Sequence, residues 1–510
     1  MQWTRELDEA GSQRLAELLA LKVGPGDVIA LRGQLGAGKT TLARALIGAL
    51  MRDGVAEVPS PTFSLHQTYV TPRLTISHFD FYRLSSAEEA RELGFEDALQ
   101  EGAVIIEWPE RAATLLPESR FDIALGETAN PNVRLVTVCG LGAAAARAAR
   151  IGEVMAFLDA QTAWSGARIA YLQGDASTRS YARVSQGTRT VLLMDAPRQP
   201  DGPPLREGIP YSRIARLAED MTRPFVAIGA ALGGAGLSAP SVVAADLSNG
   251  ILLVEDLGDR LFGTEIAAGT SQARLWRTAV DALLHLRRVP VPTSIPLDES
   301  TSYRLPRRDR AAFEIEIDLL PDWLWPELKG APAPEAVRAE FQAAWRPILD
   351  RLLALPGGWF LRDYHSPNLI WLPERHGVAR VGILDFQDAL NEHFAFDLVS
   401  LLQDARVDVP EELERELFDY YCAQVEAQEP DFDRALFASA YADFGAQRNT
   451  RLLGLWVRLL RRDSKPHYLQ HMPRTWGYLA RNLRHVMLAP LAEWYERHFP
   501  APLRSRRISP

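Results

Sequence analysis

Two cysteines in 510 residues, Cys139 and Cys422, exclude a disulfide framework and a cysteine-built zinc site. A long apolar run is missing as well: no stretch approaches the roughly 20 residues that a membrane-spanning helix needs. The opening residues, MQWTRELDEA, are acidic where a secretory signal is basic and then apolar. The third absence is a surplus of positive charge. Lys and Arg number 56 against 65 Asp and Glu, and residues 1–140 carry 13 against 19. A protein that grips a nucleic-acid backbone unaided needs a basic excess, so any link to RNA is expected to be indirect, through partner proteins. What is left is a globular chain of the reducing cytoplasm with no membrane segment, too long for one core.

A boundary signal lies at residues 141–150, within the Ala-rich GLGAAAARAAR. NVRLVTVCG before it reads as a closing strand, and IGEVMAFLDAQTAW after it has the apolar spacing of a new amphipathic helix. This segment is read as a connector, because alanine favours helix over flexible coil. It separates a first domain, 1–140, from the rest. A second seam is expected in the Pro-rich stretch between Val289 and Pro296.

Residues 33–40, GQLGAGKT, fit the pattern Gly-x-x-x-x-Gly-Lys-Ser/Thr, which arises by chance in roughly one or two per cent of chains this long. Glycines let backbone amides curl around phosphates, a lysine reaches the terminal ones, and a hydroxyl ligates magnesium. Gly33, Gly36, Ala37, Gly38, Lys39, Thr40 and Thr41 are therefore the expected nucleotide contacts. A buried-strand pattern at residues 27–31 leads into the loop, and TLARALIGAL reads as the helix whose positive end faces the phosphates. Asp80 and Glu107 each close a strand-like segment, LTISHFDFYR and AVIIEWPE. Such carboxylates either hold magnesium and orient an attacking water, or merely cap their strands.

The set GQLGAGKTTLARAL, SPTFSLHQTY, HFDFYRL and VIIEWPER resembles the TsaE family, ATPases that assist the bacterial complex making threonylcarbamoyladenosine in tRNA. The likeness spans the first domain. It implies an α/β P-loop NTPase using ATP and Mg2+, with Asp80 and Glu107 as functional acids and Asp80 and Thr40 at the metal. It also implies a switch-like segment, Ser60 to Phe63, and TsaB- and TsaD-like partners. Gln34 departs from the family, where Asp is common; the loop binds through backbone amides, so little consequence is expected.

A second constellation is FLRDYHSPNLIWL followed by VGILDFQDA. Asp followed five residues later by Asn occurs about once by chance in a chain this long. The flanks give it meaning: residues 369–372 and 381–384 are strand-like and would form a hairpin ending at Asp385. In protein-kinase-like phosphotransferases a loop Asp accepts the substrate hydroxyl's proton, an Asn holds one magnesium, and a second Asp bridges the metals. Asp363, Asn368 and Asp385 fit those roles in order. His365, Asp388 and Asp397 are left as packing or capping residues.

Upstream, residues 174–184, GDASTRSYARV, suit a phosphate-covering loop, with Gly174 and Ser177 as contacts. ILLVEDLGD suits an adenine-binding hinge at Glu255 and Leu257. The strand TVLLMDAP places Met194 and Asp195 where a kinase has its phosphate-pairing lysine. Either another cation such as Arg179 or Arg183 substitutes, or the domain has lost activity.

GDASTRSYARV, LLMDAP, LLVEDLGD, LRDYHSPNLIWL, VGILDFQDAL and FDLVSLLQDAR resemble the aminoglycoside-phosphotransferase superfamily, nearest to cell-wall amino-sugar kinases of the AmgK type. The likeness covers about residues 150 to 490. It implies an α+β protein-kinase-like bilobal domain, with an N-lobe at 151–260 and, at 261–510, a C-lobe bearing a helical sugar-binding region. LMDAP without lysine is then a feature of the branch. The implied reaction is phosphorylation of the anomeric hydroxyl of N-acetylmuramate or N-acetylglucosamine, an aminoglycoside or other small alcohol being the alternative acceptor and an ATP-binding scaffold without turnover the alternative role. The run GAQRNTRLLGLWVRLLRRDSKPHYLQHMPRTWGYL, rich in Arg, Gln, Asn, Tyr and Trp, suits a polar, ring-shaped ligand.

Overall fold

The computed structural model describes residues 2–51, 61–172 and 179–509. Its contacts divide the chain into two compact units. The first joins Met1–Pro197 with Val243–Asp256, and the second joins Arg198–Val242 with Leu257–Pro510.

The first unit opens with a seven-stranded sheet: β1 (Gln2–Leu7), β2 (Val28–Arg32), β3 (His66–Val70), β4 (Thr75–Asp80), β5 (Gly102–Glu107), β6 (Arg120–Glu127) and β7 (Arg134–Leu141). Their order is β1-β7-β6-β2-β5-β4-β3. The four inner strands β6, β2, β5 and β4 are parallel, and the edges are antiparallel. Strands buried on both faces read as continuous apolar runs, and the Val28–Leu31 and Ala103–Ile106 runs are almost solvent-free. Helix α1 (Glu9–Lys22) is capped by Asp8, whose carboxylate accepts from Gly11 N at 2.8 Å. Helix α2 (Lys39–Leu50) follows β2 through the glycine-rich loop.

Residues 144–150, expected within a connector, are the first turns of helix α3 (Ala144–Asp159). Nothing after Gly142 breaks the helix, and alanine has the best intrinsic propensity. Beyond it lies a second sheet: β8 (Arg168–Leu172), β9 (Ser180–Gln186), β10 (Arg189–Asp195), β11 (Val242–Asp246) and β12 (Ile251–Glu255), in the order β11-β12-β10-β9-β8. One continuous core runs from Leu15, Leu19 and Phe121 through Ile151, Met155 and Leu158 to Val184, Leu193 and Leu253. The P-loop sheet and the smaller sheet thus share a hydrophobic interior.

Polar contacts follow the same seam. Buried Glu17 of α1 accepts from Ile169 N at 2.7 Å and from Arg168. Arg147 clasps Asp27 through two hydrogen bonds of 2.5 and 2.6 Å. Asp195, the last residue of β10, is bound by Arg150 of α3 at 2.8 Å and by Lys22 of α1. Side chains alternate along a strand, so Asp195 shares a face with Val191 and Leu193, which lie in the common core. The acid expected near the missing lysine is therefore a strut to the P-loop domain.

The second unit is mainly helical. Helix α4 (Gln272–Arg287) is followed by α5 (Arg310–Ile317), α6 (Glu335–Ala354) and β13 (Gly358–Phe360). Strand β14 (Leu369–Trp371) then pairs antiparallel with β15 (Val381–Ile383), the hairpin the sequence suggests. Strand β16 (Leu390–Glu392) pairs with β13, and helices α7 (Ala395–Leu402), α8 (Arg434–Asp463) and α9 (Met472–Asn482) complete the bundle. Gly454 lets α8 pass against the chain at Leu319: a Cβ there would meet the Leu319 carbonyl carbon and oxygen at 2.2 Å. No helix among the described residues is long and apolar enough to cross a membrane.

Candidate functional sites

The P-loop curls because three of its residues adopt left-handed backbone: Gly33 (φ +142), Gly36 (φ +79) and Gly38 (φ +100). At Gly33 a Cβ would also strike Leu125 O at 2.5 Å, so the sequence has no other choice there. Lys39 sits 4% exposed, donating to Gly33 O and Gln34 O at 2.9 Å each, with its ammonium 3.7 Å from the centre of the Trp108 ring. Burial lowers its pKa, opposed by the carboxylates of Glu107, Asp80 and Glu110. A cation held by two carbonyls and an aromatic face is poised to exchange them for an anion.

Asp80 and Glu107 end adjacent parallel strands in register. Glu107 accepts from Thr40 Oγ1 at 2.9 Å through one oxygen and contacts His78 Nε2 at 3.0 Å through the other. Asp80 accepts from Thr62 Oγ1 at 3.2 Å and from Tyr82 N at 3.0 Å. Lys39, Thr40, Asp80 and Glu107 thus converge at the strand ends, and all the P-loop residues named from the sequence lie on one loop and helix start. The donor set suits magnesium: a hydroxyl and carboxylates, hard oxygens beside a phosphate cradle. His78 is the residue that sequence reasoning passed over. Ser60 lies outside the described residues, whereas Phe63 is exposed with Arg83 beside its ring.

The second site is built on the loop between β13 and β14. Arg362 is left-handed (φ +73), and Asp363 follows. Asn368 Nδ2 donates to Asp363 O at 2.9 Å and stands 3.5 Å from Asp385 Oδ2. Asp385, also left-handed (φ +57), accepts from Gln387 Nε2 at 2.9 Å, and Leu384 N donates to Asn368 O at 2.8 Å. The hairpin thereby brings Asp363, Asn368 and Asp385 together. An amide oxygen and carboxylates again fit magnesium.

Asp397, set aside from the sequence, and Asp404, which the sequence did not single out, support that loop. Asp397 of α7 accepts from Leu361 N at 2.6 Å and Arg362 N at 3.0 Å. Burial pushes its carboxyl up to about 7, against those two N–H groups, which favour the charged form. Asp404 receives Ser366 N at 2.7 Å. Arg362 donates to Ala215 O and, at 2.8 Å, to Glu316. His365 is half-buried beside Asp404 and Asp363, and desolvation lowers its pKa. Asp388 accepts from Ala218 N at 2.7 Å, and burial raises its pKa. It lines a cavity of about 260 Å³ with Arg213, Arg216, Tyr303 and Gln387.

The remaining expectations have plain outcomes. Gly174 and Ser177 lie outside the described residues. Glu255 closes β12 in the first unit, while Leu257 is buried with Ile370 and Leu372 in the second. Arg183, a candidate stand-in for the lysine, donates to Asp256 at 2.6 Å and is engaged there.

Comparison with known proteins bears on both sites. Residues 7–135 match the family described as threonylcarbamoyl adenosine biosynthesis protein TsaE, and residues 168–445 match the phosphotransferase enzyme family. The chain is 41% identical over 341 residues to an N-acetylmuramate/N-acetylglucosamine kinase of Caulobacter vibrioides, covering 65% of this chain and 92% of that protein. With the protein of the same description from Pseudomonas aeruginosa it shares 33% identity over 328 residues, 62% of this chain and 85% of the other. A tRNA threonylcarbamoyladenosine biosynthesis protein TsaE of Rickettsia felis is 42% identical over 131 residues, covering 26% of this chain and 75% of that protein.

Proposed function

The chain belongs to two families in tandem, TsaE and then the phosphotransferase enzyme family, and from that premise we propose that it carries two ATP-using activities. The N-terminal domain is an ATPase that assists threonylcarbamoyladenosine formation in tRNA, working through TsaB- and TsaD-like partners. The C-terminal part is an ATP-dependent kinase for the anomeric hydroxyl of N-acetylmuramate and N-acetylglucosamine. Both reactions belong to the cytoplasm.

In the ATPase, Lys39 leaves its two carbonyls for the terminal phosphates of ATP, and the amides of residues 36–41 cradle the others. Thr40 and Asp80 would hold Mg2+, which neutralises developing charge on the phosphates when bound. Glu107 orients the attacking water, and His78 fixes its outer oxygen.

In the kinase, Asp363 takes the proton of the acceptor hydroxyl as that oxygen bonds to the γ-phosphorus and the bond to ADP breaks. Asn368 and Asp385 would hold Mg2+ in this site. Asp397 and Asp404 lock the loop so that Asp363 meets the hydroxyl without reorganisation.

The convergence of Asp363, Asn368 and Asp385 carries the kinase reading. The test uses the full chain bearing Lys39→Ala, so that ADP release reports the kinase alone. Turnover with N-acetylated amino sugars is expected. Turnover with aminoglycosides only would move the acceptor class, and none with any sugar or alcohol would leave an ATP-binding scaffold. For the ATPase, Lys39→Ala should abolish hydrolysis in the presence of TsaB- and TsaD-like proteins; full stimulation of tRNA modification by that variant would refute the role given to the loop.

A further inference from the structure

Helix α8 turns a row of arginines inward. Arg448 is 4% exposed and donates to Gln403 O at 3.0 Å. Arg451, one turn on, comes no nearer than 3.9 Å to Glu316 Oε1, too far for a hydrogen bond. That oxygen already accepts from Arg362 at 2.8 Å, and the other from Arg308 and Gln447 at 2.8 Å each. Glu316 thus serves three donors and is the counter-charge of Arg451 as well, favouring its charged form, yet Arg451 keeps a buried Nε with no hydrogen-bond partner. Two turns further, Arg458 has the same orphaned Nε; its guanidinium lies 4.7 Å over the Tyr211 ring. Among the described residues no carboxylate pairs with Arg458. Burial lowers its pKa, as do the neighbouring Arg462 and Arg451 charges.

Holding Arg458 here is costly, because Arg451 has Glu316 as its counter-charge and Arg458 has none among the described residues. Burying a charge without a counter-ion costs several kcal/mol, and like charges add to that. An arrangement of this kind is stable where an anion completes it. Its position is informative: Arg451 and Arg362 meet at the same oxygen of Glu316, and Arg362 immediately precedes Asp363. The anion therefore arrives beside the catalytic carboxylate, on the molecule whose hydroxyl Asp363 deprotonates.

We propose that Arg451 and Arg458 form a carboxylate subsite for the acceptor. This rests on the amino-sugar reading above. N-acetylmuramate differs from N-acetylglucosamine by a lactyl ether on C3, two ring carbons from the anomeric centre, ending in a carboxylate. A planar guanidinium suits that group through paired hydrogen bonds, with the sugar body against Tyr211. The arginines thus decide which of the two sugars is preferred.

The test is steady-state kinetics of the full chain and its Arg458→Gln and Arg458→Lys variants, with each sugar varied at saturating Mg-ATP and Mg-ATP varied at saturating sugar. A lost charge-assisted bond is worth about 1.5–3 kcal/mol, or about 10- to 150-fold. The ratio of kcat/KM for N-acetylmuramate over N-acetylglucosamine is expected to fall by that factor with glutamine and less with lysine. On the wild type, N-acetylmuramate methyl ester should lose a similar factor, and the glutamine variant should no longer distinguish acid from ester. A parallel loss on both sugars with the ratio unchanged would overturn the subsite, as would a loss confined to the KM for ATP. Retained turnover of N-acetylglucosamine reports folding. A wild type that phosphorylates neither sugar refutes the function itself, an outcome visible before any variant is made.

Discussion

Asp363 is the residue on which kinase turnover depends most directly. Its replacement by alanine should lower kcat by at least about a hundredfold, the low end for general-base catalysis, while leaving ATP hydrolysis by the P-loop domain intact. A smaller loss would transfer the base to another group. His78→Ala should release one oxygen of Glu107 and slow ATP hydrolysis by about tenfold or more, as loss of an outer-shell partner does elsewhere. An undiminished rate would make His78 a packing residue. Lys39 and Thr40 could be named from the sequence because a P-loop is contiguous, its roles fixed by spacing. His78 and Asp397 could not, because what they hold lies 29 and 36 residues away and only the folded strands and helices bring them together. Asp195 shows the reverse: its place in the chain suggested a phosphate site, but strand alternation turns it toward α1 and α3.

Among the elements, helix α8 is the most constrained. Gly454→Ala would drive a methyl group into the Leu319 carbonyl, and overpacking of that kind costs about 1–3 kcal/mol. Urea unfolding should show it; a change below a few tenths would mean that the helix simply shifts. Two buried histidines of the same bundle set its acid limit. His393, against Phe444, and His471, beside Trp456, are pushed down to about 4 by burial, with nearby arginines adding to the effect. In the unfolded chain each takes a proton near pH 6.5. Between those values the unfolded state holds more protons, so their stabilising contribution is present above 6.5 and lost as pH falls toward 4. At pH 5 the loss is about 2 kcal/mol for each. Denaturant titrations at pH 7 and 5 should show His393→Gln and His471→Gln flattening the decline; an unchanged slope would exclude them as the cause. The β14–β15 hairpin was legible because two short apolar runs flank a polar loop. The start of α3 was not, since alanines serve a connector and a buried helix equally well, and only the two sheets on either side decide.

At the scale of the molecule, the P-loop sheet, α3 and the five-stranded sheet form one hydrophobic body, although the family likenesses stop and restart between them. Replacing Asp195 with alanine would strand Lys22, 18% exposed, without its carboxylate and leave Arg150, 10% exposed, with Glu153 alone. Breaking a buried ion pair from one side costs about 3–5 kcal/mol, so calorimetry should show the shared body melting earlier and as one transition. Two separated transitions would disprove the coupling. The shared core also binds the two activities in time. A chain whose P-loop half is damaged by a mutation at Leu19 or Phe121 exposes the smaller sheet as well, and a quality-control protease that seizes it removes the kinase in the same act. The cell then holds the two catalysts in a ratio fixed at one to one from synthesis to degradation, and a lesion confined to the tRNA-side domain would first be noticed as a shortage of phosphorylated sugar.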